Sequence, residues 1–195
     1  MSRTRIRDIR HDELIDAAIT ATHESGFAVV TMADIARRAG ASAASINYYF
    51  GSKEKLMEAA MRRVMSTLRH CVIDRLRQAT TPEERLYAVV CANFDDRLFT
   101  ARICSFWVQF WAHAPYAGNL SRLHRINRLR VQSHVRTELR TLVSPELREP
   151  LRESIQAYMD GIWVEVAQNP RPTNPARARD TARQVVATLL DGARG

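Results

Sequence analysis

At 195 residues, with 46% hydrophobic and 26% charged side chains, the chain has the composition of an ordinary globular protein and can bury a sizeable core, as one domain or as a small module plus a larger one. Its net charge of +8 points to an anionic partner, although only Lys53 and Lys55 among its 29 basic residues are lysines, and an arginine-heavy balance can also reflect genomic base composition. Three cysteines (Cys71, Cys91, Cys104) without a C-x-x-C spacing exclude a disulfide framework and a zinc knuckle, and a beginning without an apolar signal core, with no apolar run of membrane-spanning length, leads us to expect a cytoplasmic protein.

Glycine and proline fall between periodic stretches, and no segment alternates with period two between turns, so the expected fold is all-α with nine helices. The first helix is predicted over 8–25, ending at Gly26. Thr31-Met-Ala-Asp34 fits a capping box, in which the threonine hydroxyl and the acidic side chain each satisfy an orphan amide, and opens a helix over 32–39. Gly40 permits the left-handed conformation of a short connection, and Ser42 caps a third helix over 43–49. Ser52 opens a long helix over 53–79, and a second capping box, Thr81-Pro-Glu-Glu84, starts the stretch 82–142, which holds three helices. An eighth helix is predicted over 146–169. The proline-rich loop 169–175 separates it from a ninth over 175–191.

The second and third helices have the layout of a helix-turn-helix. Ile46 and Phe50, four apart, can pack inward together, which turns Ala43, Ala44, Ser45, Asn47 and Tyr48 outward. Small residues at the start of such a helix let its backbone approach base edges, to which Ser45 and Asn47 can hydrogen-bond. Arg3, Arg5, Arg7 and Arg10 form either a basic arm for the minor groove or a solvated charge cluster.

The run TMADIARRAGASAASINYYFGSKEKLM resembles the N-terminal signature of the tetracycline-repressor (TetR) family. The resemblance implies an all-α homodimer that represses transcription from an inverted-repeat operator until a small molecule binds its C-terminal domain. It also marks Thr31, Ser42, Tyr48, Tyr49 and Lys53 as phosphate anchors, with packing as the alternative for the two tyrosines. The chain departs from the family pattern at Ala44, where glycine is common, and at Asn47, where a tyrosine is common; Asn47 is then a base reader. The implied division is a DNA-binding domain over 1–52 and an effector-binding and dimerisation domain over 53–195.

Within the second region, Trp107 and Trp111 share one helical face, and Tyr158 and Trp163 lie on the eighth helix beside Asp160. Such stripes fill cores or line ligand boxes. NFDD…FWVQFWA, RLHRINRLRVQSHVRTELR and MDGIWVEVA resemble the choline-responsive repressors of glycine-betaine synthesis genes within the family. A quaternary ammonium has no hydrogen to donate, so aromatic faces and an acidic neighbour would hold it. The cage residues expected on this basis are Phe94, Trp107, Trp111, Tyr158 and Trp163, with Asp95 as counter-charge. Asp160-Gly161 reads first as a helix-packing pair and second as part of the site. A regulator of this type for another ligand is the alternative.

Leu147, Leu151, Ile155, Met159 and Ile162, with Val185, Val186, Leu189 and Leu190, give the last two helices an apolar face that predicts a homodimer through them, or else burial within the monomer. No metal, cofactor or membrane partner is expected. An enzyme is not expected either, because the six histidines are scattered singly and no nucleophile has a base beside it.

Overall fold

The computed structural model describes residues 3–169 and 172–194, with side chains from Arg10 onward. The described residues form nine α-helices and one 3₁₀ turn, with no strand: α1 (Arg3–Ser25), α2 (Met32–Arg38), α3 (Ala43–Phe50), α4 (Lys53–Leu76), α5 (Pro82–Ala92), α6 (Ala101–His113), the turn Ala114–Tyr116, α7 (Gly118–Leu142), α8 (Pro145–Gln168) and α9 (Pro175–Arg194).

The predicted caps account for the helix starts. Both capping boxes are closed, Thr31 with Asp34 and Thr81 with Glu84, and Ser42 and Ser52 accept from the amides of Ser45 and Lys55. Each such cap contributes about 1 kcal/mol. Several boundaries differ from expectation, α9 running on to Arg194 rather than ending at 191. Helix α1 begins at Arg3 rather than residue 8, because nothing in 3–7 breaks a helix. Helix α4 stops at Leu76 rather than 79, where the amides of Gln78 and Ala79 turn to the carbonyls three residues back and tighten the last turn. Pro150 and Gly161 lie inside α8 rather than between helices.

The spine is α4, which packs on α1 and α3 near its start and on α5 and α7 further along. Its buried stripe, from Leu56 and Met57 through Val64 and Leu68 to Val72, belongs to one continuous core that runs from Leu14 to Leu190. Around it α5, α6, α7 and α8 enclose the C-terminal interior, with α9 laid against α5 and α8.

Much of the apolar surface expected to drive dimerisation is consumed inside the monomer. Leu151, Ile155 and Met159 of α8 and Val186 and Leu190 of α9 are buried in this core. Ile162, Val185 and Leu189 remain half-buried, and Leu147 is exposed.

Candidate DNA interface and effector pocket

Helix α3 sits on α2 through Ile46 and Phe50, both buried against Ile35 and Ala36 and the rest of the core. Gly40 takes φ +57° in the connection. Arg10 braces that turn from α1 by donating to the carbonyls of Ala39 and Gly40, each at 3.2 Å, so it is part of the scaffold rather than of a free arm. The side chains of Arg3, Arg5 and Arg7 lie outside the described residues.

The outward surface of α3 carries Ser42, Ala43, Ala44, Asn47 and Tyr48 in the open, the last 76% exposed. Ser45 is half-buried, its hydroxyl 3.1 Å from that of Ser42, so it supports the cap as much as it faces outward. Tyr49 is half-buried against the core and meets the ring of Tyr48 edge-on at 5.2 Å. The hydroxyl of Thr31 is committed to the capping box, accepting from the Asp34 amide and donating to its carboxylate at 2.6 Å. Lys53, at the first position of α4, sits over the Phe27 ring with Nζ 3.4 Å from the Ala28 carbonyl.

In the C-terminal half, a cavity of about 230 Å³ lies between α6, α7 and α8. Trp107, Trp111 and Trp163 converge on it. The ring of Trp107 stands edge-to-face with Trp163 at 5.1 Å and with Trp111 at 6.2 Å. Trp163 is fixed by donating its indole N–H to the Asn93 carbonyl at 3.2 Å. One turn before Trp163 on α8, Asp160 lines the cavity and accepts from Gln156 Nε2 at 2.8 Å. Burial raises the Asp160 pKa above the ordinary carboxylate value, while the Gln156 hydrogen bond and the nearby Arg128 charge oppose that rise. Gln156 Oε1 is buried at this wall with no hydrogen-bond partner. Burial, helped by Arg128, lowers the pKa of His124, so the imidazole beside Trp111 is neutral at neutral pH.

Two of the expected cage residues and the expected counter-charge lie elsewhere. Phe94 is fully buried, edge-on to Phe99 at 5.2 Å, and fills core. Tyr158 faces a groove between α8 and α9. Asp95 turns toward α4, held by Arg75 of that helix at 3.0 Å and by Arg97 of its own loop at 2.9 Å. Burial alone would raise its pKa, but the hydrogen bonds from these arginines outweigh that and hold it well below the carboxylate range. It is already neutralised, so the acidic group available to the cavity is Asp160. The missed signal was helical phase: Gln156, Asp160 and Trp163 are spaced i, i+4, i+7 on one face of α8, and Tyr158 is off it. Among the described residues no cluster of His, Cys, Asp and Glu could hold a metal ion, and no helix is long and apolar enough to cross a membrane.

Helix α6 joins the two regions. Trp107 and Trp111 lie on its cavity side, whereas Gln109, about 200° around a helix of 3.6 residues per turn, faces α1. Gln109 Oε1 accepts the Phe27 amide at 2.6 Å, and its Nε2 donates to the Thr22 carbonyl at 3.1 Å and the Ser105 hydroxyl at 3.0 Å. One turn on, His113 stacks on Phe27 at 4.4 Å. The corner between α1 and α2 is therefore fastened to the helix that carries two cage walls.

Comparison with known proteins fits this arrangement. Residues 14–60 match the family of bacterial regulatory proteins described as tetR, and residues 82–191 match the C-terminal domain of BetI-type transcriptional repressors. The chain belongs to the TetR family. The HTH-type transcriptional regulator BetI of Cronobacter sakazakii is 36% identical over 99% of this chain and 96% of its own length, and that of Escherichia coli K12 is 34% identical over 97% and 98%. Solved TetR-like structures share the fold: a TetR-family regulator from Rhodococcus sp. superposes with a TM-score of 0.77 at 19% identity, covering 95% of this chain and 99% of that one. A transcriptional regulator from Saccharomonospora viridis in complex with choline gives 0.77 at 20% identity, covering 93% and 95%. As a TetR-family protein with a BetI-type C-terminal domain, the chain is a DNA-binding transcriptional repressor.

Proposed function

We propose that this repressor is released from an inverted-repeat operator by choline and controls genes of glycine-betaine synthesis or choline uptake, acting in the cytoplasm as a homodimer. The observation that carries the reading is the convergence of Trp107, Trp111 and Trp163 on one small cavity with Asp160 in its wall. A trimethylammonium group presents only C–H surface bearing positive charge. Aromatic faces attract it and a carboxylate balances it, without a hydrogen bond to the charged centre. Choline also carries one hydroxyl, and the unpartnered Gln156 Oε1 is an acceptor for it. The cavity, at about 230 Å³, is smaller than the roughly 300–1,000 Å³ usual for drug-sized ligands. The choline complex of the Saccharomonospora viridis regulator supports the same class of ligand on the same fold.

Calorimetric titration of the full chain with choline, glycine betaine and 3,3-dimethylbutanol, the uncharged isostere of choline, tests this. Choline should bind most tightly, and Trp111→Ala should weaken it by about 0.5–2 kcal/mol, the value of one cation–π wall. Equal affinity for choline and its neutral isostere would remove the cation–π basis. The carbon isostere keeps the hydroxyl and shape, so only charge differs.

A further inference from the structure

Beyond Asn93, Asn127 and Val131, which border the tryptophan cage, lies a second cavity of about 280 Å³ between α4, α5 and α7. Its chemistry differs from that of the first, whose lining carries Asp160 beside Arg128. The inner wall is apolar, formed by Met65, Leu68 and Val72 on one face of α4 and by Val89 of α5, all buried. Basic groups line the cavity as well: exposed Arg69 on α4, and exposed Arg130 with half-buried His134 one turn apart on α7. No carboxylate lines it, and none of these three groups is ion-paired among the described residues. Burial lowers the His134 pKa, opposed by the Glu138 carboxylate one turn on and helped by the charges of Arg130 and Arg85, which leaves that imidazole neutral at neutral pH.

An apolar chamber with two guanidinium groups at its exposed side repels a quaternary ammonium and suits a short apolar tail with an anionic head. We propose that this chamber is a second ligand site, for a medium-chain carboxylate whose tail lies along Met65, Leu68, Val72 and Val89 and whose acid group is held by Arg69 and Arg130. Asn93 links it to the first site. Its backbone carbonyl accepts the Trp163 indole N–H, and its side chain donates to the Val89 carbonyl at 3.0 Å. A ligand that moves Asn93 is felt at a cage wall, and by linkage the effect runs equally in both directions.

The test is calorimetric titration of the full chain with decanoate below its micelle concentration, with 1-decanol as the uncharged control. One decanoate per chain should bind, and decanol at least tenfold more weakly. Arg130→Ala, at an exposed position, should cost decanoate at least tenfold. Ile73→Trp, which fills the chamber from a half-buried position, should abolish binding; an unchanged melting temperature distinguishes filling from unfolding. Trp111→Ala should leave decanoate affinity unaltered. The proposal is overturned by decanoate binding that survives both Arg130→Ala and Ile73→Trp, by loss of binding in Trp111→Ala, or by equal affinity for decanol. None of these readouts requires that choline bind, so the two ligand assignments stand or fall separately.

Discussion

At the scale of single residues, the two surfaces place different demands on their side chains. Asp160 can balance a cation only while ionised, and burial has raised its pKa above the ordinary carboxylate value. A bound cation favours the carboxylate and lowers that pKa again, so binding releases a proton in the interval between the two values. Choline affinity should accordingly be flat at neutral pH and fall as pH drops through the raised Asp160 pKa, earlier than an unperturbed carboxylate would allow. Protonation of His124, whose pKa lies below the ordinary histidine value, adds a competing positive charge on the same acid side. Titrations from pH 8 to 5 with the wild type and Asp160→Asn check this: the variant should bind more weakly at neutral pH and show a shallower acid limb. On α3, Asn47 is exposed among alanines and serines, and its amide suits a base edge. Asn47→Ala should weaken operator binding by roughly 1–3 kcal/mol while leaving random duplex nearly unaffected. Lys53→Ala, at the start of α4, should weaken both alike and reduce the salt slope by about one. A competition assay with operator and random DNA at two salt concentrations separates the two; an unchanged operator-to-random ratio in Asn47→Ala would exclude base reading.

At the scale of elements, the fold was legible wherever capping chemistry is local. Thr31, Ser42, Ser52 and Thr81 each announce a helix start within three or four residues, and the structure uses all of them. Outward and inward positions on α3 were legible too, because Ile46 and Phe50 fix the phase of a short helix. The aromatic cage was legible only in part. Trp107 and Trp111 declare a common face, but which acidic residue meets them depends on how α8 is rotated against α6 and on where the turn after α5 directs Asp95. Those are tertiary facts, and the Arg75 that captures Asp95 is 20 residues away. Gln109 was not legible at all, since a glutamine between tryptophans reads as a solvated position until α1 is seen behind it. It is now the clearest mechanical link in the molecule. Ligand seated on Trp107 and Trp111 can reach the DNA-binding helices through the Gln109 hydrogen bonds to Phe27 and Thr22. Gln109→Ala should keep choline affinity within about twofold yet shrink the ratio of operator affinities without and with saturating choline, where allosteric couplings of 1–3 kcal/mol are typical. Fluorescence anisotropy on labelled operator reads that ratio directly. A ratio equal to the wild type's would remove Gln109 from the coupling path.

At the scale of the whole molecule, the last two helices bury only part of their apolar surface within the monomer, and that division makes the proposed dimer testable. Val186 and Leu190 of α9 are fully buried in the monomer's own core, while Val185 and Leu189 are only half-covered. The same partition holds on α8, where Ile155 is buried and Ile162 is half-covered. A twofold partner would cover the second set, which pairs α8 and α9 with their copies in a four-helix interface. Two arginine substitutions on one helix should then behave differently. Leu189→Arg places a charge at the interface, where no partner awaits it, and should yield a folded monomer with a melting curve still cooperative. Val186→Arg places the same charge in the core and should unfold the C-terminal half, because an unpaired buried charge is far more costly. Light scattering reports mass, and circular dichroism reports folding, on the same samples. The folded Leu189→Arg monomer should also lose specific operator binding, since one recognition helix offers half the contacts of a palindromic site whose half-sites lie about 34–36 Å apart. A Leu189→Arg protein that remains dimeric and binds operator normally would move the interface away from α9, and a wild-type protein that is monomeric on DNA at micromolar concentration would remove it altogether.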